Sequence, residues 1–385
     1  MADITVVGGG LAGLVASIAC AERGASVDLY EAHQTLGGRA RTSAPPFIAH
    51  DGPHVIYDDG PLWAWLDERD LVAPAAHVPH RALASIRFRW RAGLRRRPPT
   101  SMLWMLAERR RRAPVDQDFR TWASERFGET AAMAAASYLG VVTFDHDPGR
   151  LSAAFAWERL VRATSVPPAA RYVIGGWGSM LARLEARARK LGVSIELGSR
   201  VDSLPEPPVI VATSLDAAGR LLGDPGLRWE SGRTALLDLG LERRRADPFI
   251  LADLDEAGWV ERFSVPDPTV APPGRSLAQA QLPLRHGEHE AEGLERLERL
   301  VGLGYPRWRE RQVWRRHGIA AGRSGALDLP GTTWRDRPRV NRGDGVFLAG
   351  DMVAAPGLLS EVSFTSAIKA SAAAVGLLRP SRHAA

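Results

Sequence analysis

Cysteine and long apolar runs are the features that this sequence lacks most clearly. Cys20 is the only cysteine in 385 residues, which excludes an internal disulfide and any metal site built from several cysteines. The first strand-like run begins at residue 4, and no run approaches the roughly eighteen apolar residues of a transmembrane helix. We therefore expect a cytoplasmic protein with neither a signal peptide nor a bound metal.

Lysine is almost absent as well. Lys190 and Lys369 are the only two, so arginine supplies nearly all the basic charge of a chain whose net charge is +6. Such a charge raises nucleic-acid binding as an alternative, but no nucleic-acid motif accompanies it, and we expect no such partner. The length allows about two or three domains. The 45% hydrophobic and 24% charged fractions are typical of a globular protein.

The beginning of the chain carries the clearest motif. Residues 4–7 form an apolar run typical of a buried parallel strand; a glycine-rich turn and an apolar helix follow, and a second strand at 26–30 ends beside Glu31. This order predicts a dinucleotide site rather than a structural glycine turn. Glycines let the backbone approach a pyrophosphate, the helix N-terminus attracts anions, and the acid accepts hydrogen bonds from an adenosine ribose. The predicted contacts are Gly8, Gly10, Leu11, Ala12, Gly13, Glu31 and Ala32.

A second glycine-rich segment, LGGRART, occupies residues 36–42. Together with the opening unit it resembles the FAD-binding signature of the amine oxidase, protoporphyrinogen oxidase and phytoene desaturase superfamily. The resemblance implies that the cofactor is FAD and that Gly37, Gly38, Arg39 and Arg41 lie along its pyrophosphate and ribityl chain. The alternative is a surface turn with solvated arginines.

Two further segments match the same family. Gly52, Pro53 and His54 resemble the turn that desaturase-like members place against the isoalloxazine ring. His54 would either take part in the chemistry or bind a backbone carbonyl. By the same resemblance, Val201 would hold the edge of the adenine.

The end of the chain carries the last family segment, GVFLAGD, at residues 345–351. The resemblance implies that Gly350 and Asp351 bind the ribityl or pyrophosphate region. A helix is predicted to begin near Ser360, with this serine as its N-cap. The positive end of that helix would face the flavin, although Glu361 and Val362 begin it where relatives have Glu-Gly-Ala.

The remaining chain divides by its pattern. Residues 66–170 are predicted to be mainly helices interrupted by prolines, and residues 233–330 contain several strand-like runs. We predict an α/β fold in which a Rossmann-like FAD-binding domain, a parallel sheet with helices, carries an inserted α+β substrate domain with a helical cap. The FAD-binding domain would comprise residues 1–65, 171–232 and 331–385, and the substrate domain residues 66–170 and 233–330.

Residues 100–112 combine an apolar stretch, TSMLWML, with four arginines at 109–112. This pattern resembles an interfacial membrane helix, which would make the protein peripheral at a membrane. The favoured alternative is an ordinary amphipathic helix that packs on the cap and leaves its basic end in solvent. A basic turn is predicted just before it, at residues 93–99.

The family resemblance implies an FAD-dependent oxidoreductase that transfers a hydride from an organic, largely apolar small molecule to flavin N5. Amine oxidases of the family hold a lysine of the substrate domain near N5, and neither Lys190 nor Lys369 lies in that domain. This favours a desaturase-like enzyme over an amine-oxidase type that uses O2. Two more hypotheses stay open, a non-redox flavin isomerase and a membrane-associated protein with structural FAD.

Overall fold

The computed structural model describes residues 2–52, 55–322 and 324–378. The described strands are β1 (Ile4–Val7), β2 (Val27–Glu31), β3 (Ile56–Tyr57), β4 (Ala75–His77), β5 (Arg87–Trp90), β6 (Gly93–Arg95), β7 (Ala170–Val173), β8 (Ser194–Leu197), β9 (Val209–Val211), β10 (Arg233–Glu242), β11 (Ile250–Asp253), β12 (Trp259–Glu261), β13 (Arg275–Pro283), β14 (Gln312–Ala321), β15 (Asn341–Gly343) and β16 (Val346–Leu348). The described α-helices are α1 (Leu11–Ala21), α2 (Pro61–Asp67), α3 (His80–Leu83), α4 (Thr100–Ala107), α5 (Phe119–Phe127), α6 (Glu129–Tyr138), α7 (Gly140–Thr143), α8 (Ala153–Ala163), α9 (Trp177–Lys190), α10 (Leu215–Leu222), α11 (Glu290–Gly304), α12 (Trp308–Arg311) and α13 (Ser360–Leu378).

The first sheet joins the beginning of the chain to its end. Its strand order is β15-β16-β9-β1-β2-β8, and the pairs from β16 to β8 are all parallel. Strands β1 and β9 are almost wholly buried, as expected for parallel strands covered by helices. Because parallel strands end at one edge, the turns that follow β1, β2 and β16 meet there.

Helix α1 packs between the sheet and its neighbours α9 and α13. Ten consecutive residues of α1, from Leu11 to Cys20, are buried. Burial raises the pKa of the Cys20 thiol to about 12, so this cysteine is a packed side chain and not a nucleophile.

The second sheet is built mainly from residues 233–321 and has the order β14-β10-β13-β12-β11-β5-β6. One face is apolar, and side chains such as Leu237 and Ala280 pack with α11 in a single core. The alternate residues of the same strands form the opposite face, which is buried yet polar. Its members are Thr234 and Asp238 of β10, Gln279 and Gln281 of β13, and Glu261 of β12. Since buried polar groups require partners, this face marks a place where the sheet contacts something other than an apolar layer.

Helices α4 to α8 form the cap. Its core contains an edge-to-face pair between Trp122 and Trp157, with ring centroids 5.3 Å apart. A small third sheet has the strand order β3-β7-β4. It pairs β4, from the predicted substrate segment 66–170, with β7, which begins the next predicted FAD segment, so the predicted boundary falls within a continuous sheet. The domain division itself stays a prediction.

The predicted basic turn at residues 93–99 is wrong in part. Residues Gly93–Arg95 form β6, which pairs with β5, and the turn lies earlier, at Arg91 and Ala92. Both turn residues adopt the left-handed backbone region, with φ of 51° and 58°. Asp255 holds this turn, because its two carboxylate oxygens accept the backbone N–H groups of Arg91 and Ala92. In the described part of the chain, no helix is long and apolar enough to cross a membrane.

Candidate cofactor and substrate site

The turn after β1 is built so closely that it requires glycine. A Cβ placed on Gly13 would lie 1.8 Å from the carbonyl oxygen of Gly8, so α1 can start here only without a side chain. Gly8 itself has φ of 105° and donates its N–H to the carbonyl oxygen of Tyr30 at 2.8 Å. Two of the predicted glycines are therefore needed by the local packing.

Gly10 differs from these two glycines. A Cβ on Gly10 would meet no atom within 4 Å, and Gly10 precedes α1 without a side-chain cap or an acidic residue in the first turn. The first N–H groups of α1, on Leu11, Ala12 and Gly13, point out of the helix end, as helix geometry requires. Open space beside an uncapped helix N-terminus is what a bound phosphate needs.

Glu31 is the last residue of β2 and is buried, with 6% of its surface exposed. Its two carboxylate oxygens accept the backbone N–H groups of Gly9 at 2.7 Å and His33 at 2.8 Å. These bonds fix the carboxylate beside the glycine turn and leave lone pairs for a further donor, since each oxygen accepts more than one hydrogen bond. Ala32 follows as an exposed residue.

The chain after β8 lies along the same edge. The N–H groups of Gly198 and Ser199 donate to the carbonyl oxygens of His33 and Glu31, both at 2.9 Å. Val201, two residues further on, is half-buried against the core of the first sheet. Val201 and Glu31 are thus brought to one region, as the sequence predicts for an adenosine site.

The second glycine segment packs against the first. The carbonyl oxygen of Gly9 accepts the N–H of Gly37 at 2.8 Å, and a Cβ on Gly38 would lie 3.5 Å from the Cα atom of Gly10. Arg41 turns back on its own loop, where its Nε donates to the carbonyl oxygen of Gly38 at 2.9 Å. The guanidinium of Arg41 therefore stabilises this loop in addition to any contact it makes with a ligand.

Arg39 and Asp351 come from opposite ends of the sequence and form a bidentate ion pair. Their two nitrogen–oxygen distances are 2.6 and 2.7 Å. The sequence assigns each of them separately to the cofactor, and the structure adds that they also bind each other. Gly350, just before Asp351, is fixed by Ser366 of α13, whose hydroxyl accepts the N–H of Gly350 at 2.9 Å. The ion pair of Arg39 and Asp351 lies at the sheet edge where the turns after β2 and β16 meet.

Helix α13 begins one residue earlier than an N-cap at Ser360 would require. Ser360 is already helical, and Leu359 precedes it with φ of 53°. Glu361 is buried, and its oxygens accept Arg162 Nη2 at 3.0 Å and the N–H of Leu358 at 3.1 Å. The Glu361 side chain is therefore held by the cap. The backbone N–H groups of Glu361 and of buried Val362 donate to the carbonyl oxygens of Leu358 and Leu359 at 3.0 and 3.1 Å, so the contact of this turn with the cofactor stays a prediction.

A hydrogen-bonded network that the motifs do not reveal holds the segment before Gly52. Gln279 Oε1 accepts both the N–H and the Nδ1–H of His50, at 3.0 and 2.9 Å, and its Nε2 donates to the carbonyl oxygen of His50 and to Asp238. Arg316 binds Asp238 and the same carbonyl oxygen of His50. Burial lowers the pKa of His50, so the imidazole is neutral at pH 7 and carries its proton on Nδ1.

This network attaches the polar face of the second sheet to residues 50–52. Gly52 lies so close to Arg39 that a Cβ would stand 2.6 Å from the Arg39 carbonyl oxygen. Pro53 and His54 lie outside the described residues, so their predicted roles stay predictions. Polar residues at alternate positions of an otherwise apolar strand, here Gln279 and Gln281 in LAQAQL of β13, are the sequence signal that could have indicated the network.

A second group on the polar face surrounds Glu261. Its oxygens accept the hydroxyl of Tyr172 at 2.5 Å and the indole Nε1–H of Trp259 at 3.0 Å. The ring of Tyr138, from the cap, packs edge-on to Trp259 with centroids 5.5 Å apart. Burial raises the pKa of the Glu261 carboxyl. The sheet, the cap and β7 thus meet at an aromatic wall that contains one acid.

The two lysines lie away from this wall. Lys190 ends α9, and Lys369, on α13, lies with its ammonium 5.1 Å from the ring centroid of Trp334. In the described part of the chain, no three metal-binding side chains come together.

Comparison with known proteins agrees with this architecture. The family described as "NAD(P)-binding Rossmann-like domain" matches residues 6–69. An oxidoreductase from Methanosarcina mazei superposes with a TM-score of 0.77 at 16% identity, covering 95% of this chain and 99% of that chain. Cyclohexylamine oxidase from Brevibacterium oxydans IH-35A superposes with a TM-score of 0.74 at 16% identity, covering 98% and 99%. The chain therefore shares its fold with these two enzymes.

This fold also occurs in an enzyme of another kind. Reduced UDP-galactopyranose mutase superposes with a TM-score of 0.72 at 15% identity, covering 98% of this chain and 94% of that chain. No curated protein matches the chain in sequence. The predicted α/β fold and the resemblance to the amine oxidase superfamily are confirmed at the level of the fold, whereas the desaturase-like branch stays a prediction.

Proposed function

We propose that the protein is an FAD-dependent oxidoreductase that takes a hydride from an organic, largely apolar small molecule. The observation that carries the proposal is the meeting of three turns at one sheet edge: the Gly8–Gly13 turn, the Gly37–Arg41 turn and the segment at Asp351. The open space at Gly10 and the uncapped end of α1 fit a pyrophosphate. Glu31, with lone pairs remaining, fits a ribose hydroxyl.

Each part of the site would have its own task. Glu31 and Val201 would hold the adenosine, α1 and Gly38 the pyrophosphate, and Asp351 a ribityl hydroxyl. FAD, when bound, supplies an acceptor for a hydride at its flavin ring. The start of α13 would stabilise negative charge near that ring through the positive end of the helix dipole.

The substrate side would be formed by the polar face of the second sheet and the cap. Tyr138, Tyr172 and Trp259 offer aromatic surface that binds an apolar group and excludes water. The network of Gln279 would hold residues 50–52 at a fixed distance from this wall. Lys190 and Lys369 stay outside it, which supports a dehydrogenase or desaturase rather than an amine-oxidase type that uses O2.

FAD binding is tested by comparing two glycines of the same turn. Gly10→Ala meets no atom in the protein, so we expect a cost in unfolding free energy of about 1 kcal/mol or less and a clear loss of FAD affinity. Gly13→Ala instead introduces the contact with Gly8 and should destabilise the protein without any ligand. Equal FAD affinity of wild type and Gly10→Ala, or no uptake of FAD by wild type, would contradict the proposed site.

The reaction class is tested by anaerobic mixing of the FAD-loaded protein with a panel of small molecules. Lasting bleaching of the flavin absorbance supports net oxidation of the substrate. Turnover without lasting bleaching supports an isomerase, the alternative that the fold shared with UDP-galactopyranose mutase keeps open. Rapid recovery of absorbance after O2 is admitted would instead favour the oxidase alternative.

We also propose that the cap contacts a membrane that carries anionic lipid. Residues 81–112 contain eleven arginines and one acid, Glu108, whereas the rest of the chain has 39 basic and 43 acidic residues. The exposed runs Arg95–Arg97 and Arg109–Arg112 flank α4. On α4, Met102 and Met105 are buried in the cap, but Leu103 and Trp104 are 45% and 71% exposed. Exposed apolar groups between basic runs match an anionic bilayer surface.

Vesicle flotation tests the membrane contact. Vesicles that contain phosphatidylserine should bind the wild type, and vesicles of phosphatidylcholine alone should bind it more weakly. Replacing Arg109–Arg112 by glutamine, or Trp104→Ser, should reduce binding. The exposed run Arg243–Arg245 provides the control, because its replacement by glutamine removes similar charge without an exposed tryptophan beside it. Equal loss in this control would show that only the net charge matters.

A further inference from the structure

One cavity of the described structure lies outside the predicted cofactor site. It has a volume of about 270 Å³, opens to solvent, and is lined by residues of α8, of the segment 328–337 and of the turn at Pro356 and Gly357. None of the residues assigned above to FAD lines it. The cavity could hold several water molecules at the roughly 30 Å³ each occupies in the liquid, and it is therefore large enough for a small ion.

The wall of this cavity contains the buried cation Arg159. Its side chain is 5% exposed, and its guanidinium carbon lies 3.3 Å from the ring centroid of Phe155. Nη1 donates to the carbonyl oxygen of Phe155 at 3.1 Å, and the nearest carboxylate is that of exposed Glu158, at 3.5 Å. Among the described residues, the other N–H groups of Arg159 have no acceptor at hydrogen-bonding distance.

The surrounding charges do not balance Arg159. Asp328 is buried in the same wall, but Arg337 binds it with two hydrogen bonds of 2.8 Å and Trp229 Nε1 donates to it at 3.2 Å. Burial, together with the repulsion from Arg337, lowers the pKa of Arg159 to about 10 despite the attraction of Glu158. The guanidinium is still charged at neutral pH. A buried charge without an adequate partner is costly, and buried charges are normally paired. A bound anion would supply the partner that Arg159 lacks among the described residues.

We propose that this cavity binds a small oxyanion, a phosphate or a carboxylate, on Arg159. A planar guanidinium offers paired N–H groups that match both anions, and stacking on Phe155 fixes the plane of the fork. The ring of Phe155 and the turn at Pro356 supply apolar surface for the remainder of a small organic acid. Arg162, one turn along α8 from Arg159, binds Glu361 in the first turn of α13, so the helix that carries Arg159 also contacts α13.

The test is calorimetric titration with sodium phosphate and with sodium succinate at constant ionic strength, with sodium chloride as reference. Wild-type protein should bind at least one of the two anions at a single site. The anion with the higher affinity shows whether phosphate or carboxylate is preferred. Arg159→Met should lower the affinity roughly tenfold or more, because it removes a charge-assisted hydrogen bond. Binding no stronger than that of chloride would overturn the proposal.

Arg126→Met is the matched control. Arg126 donates to the carbonyl oxygen of Trp122, four residues earlier, and lies over the Trp122 ring. This is the arrangement that Arg159 has with Phe155, but Arg126 does not line the cavity. This variant should bind the anion as the wild type does. If Arg159 were only structural, Arg159→Met would lower the unfolding temperature equally in phosphate and chloride and would leave the anion affinity unchanged, which would also overturn the proposal.

A titration of the FAD-saturated protein separates this site from the end of α1. Binding that persists with FAD and is lost in Arg159→Met belongs to the cavity. Binding that FAD displaces and that Arg159→Met retains would place the anion at α1 and would overturn the proposal. Failure of the protein to bind FAD leaves the first titration, and hence the anion site, testable by itself.

Discussion

At the scale of single residues, the site depends on groups whose neighbours have already fixed their orientation. Glu31 is held by two backbone N–H groups, Asp351 by Arg39, and Gln279 by four hydrogen bonds to His50 and Asp238. Such groups lose little freedom when a ligand binds. Glu261 is different, because its only described partners are neutral donors.

We predict that Glu261→Gln changes how stability depends on pH. Burial raises the pKa of Glu261 above its ordinary value of 4.5, so between these pKa values the folded state binds more protons than the unfolded state. Wild-type stability should therefore fall as pH rises from about 4.5 through the raised value. The Glu261→Gln variant lacks this loss. Thermal unfolding of both ligand-free proteins should therefore show the stability of the variant rising relative to that of the wild type between acid and neutral pH.

Glu288 provides the opposite control for that experiment. Burial acts to raise the pKa of Glu288, but the hydrogen bonds from Arg296 and from the Arg285 N–H, together with the charges of these two arginines, outweigh it and lower the pKa. The contribution of Glu288 to stability is therefore present above its ordinary pKa and is lost as pH falls. The stability of the Glu288→Gln variant should therefore rise relative to that of the wild type as the pH falls. The same sign of pH dependence in both variants would contradict the assignment for Glu261.

At the scale of elements, the cap and the last helix are joined by one cation. Arg162 of α8 binds Asp59 at 2.7 Å and Glu361 at 3.0 Å, and it lies over the ring of Tyr57. A Cβ on Gly60 would stand 1.9 Å from Glu361 Oε1, so the carboxylate is enclosed as well as paired. The position of α13 therefore depends on a contact with the cap and not only on the sheet beneath it.

We predict that Arg162→Met lowers the free energy of unfolding by about 3 kcal/mol, because it leaves a buried carboxylate without its cation. Adding Glu361→Gln should recover at least about 1 kcal/mol, since the unpaired charge is then removed. Chemical denaturation of both variants measures the coupling. The exposed pair Arg189 and Glu185 on α9 is the control, and Arg189→Met should cost less than about 1 kcal/mol. Equal costs for Arg162→Met and Arg189→Met would be inconsistent with this account.

At the scale of the whole molecule, a bound FAD would join segments separated by most of the chain. Residues 8–13, 37–41 and 350–362 reach one edge of the first sheet because β1, β2 and β16 are parallel members of it. A ligand that bridges these segments binds the folded state alone, and its free energy of binding is added to the stability of the fold. The polar face of the second sheet would then lie on the proposed substrate side.

We predict that FAD at a hundredfold excess over its dissociation constant stabilises the protein by about 2.7 kcal/mol, and that FMN, which lacks the adenosine, binds more weakly. Glu31→Ala should weaken FAD binding by about 1.5–3 kcal/mol, the scale of a charge-assisted hydrogen bond. Because FMN does not reach Glu31, its affinity should be the same in both proteins. A parallel loss of FMN affinity would instead indicate damage to the turn, and unchanged FAD affinity would show that Glu31 is not at the ribose.

The sequence by itself determined strands β1 and β2 of the first sheet and the place of the glycine turn between them. The reason is local: a short apolar strand, a glycine at each point of close approach and a terminal acid are all written within residues 4–31. The tertiary structure alone decided which distant polar and charged side chains meet. Arg39 pairs with Asp351, Arg162 captures Glu361, Gln279 holds His50, and Arg159 is left without a balancing carboxylate. These outcomes depend on the packing of separate elements. Alternation along β13 marks Gln279 as a polar position on a buried face, but neither residue spacing nor periodicity identifies the partner of any of these side chains.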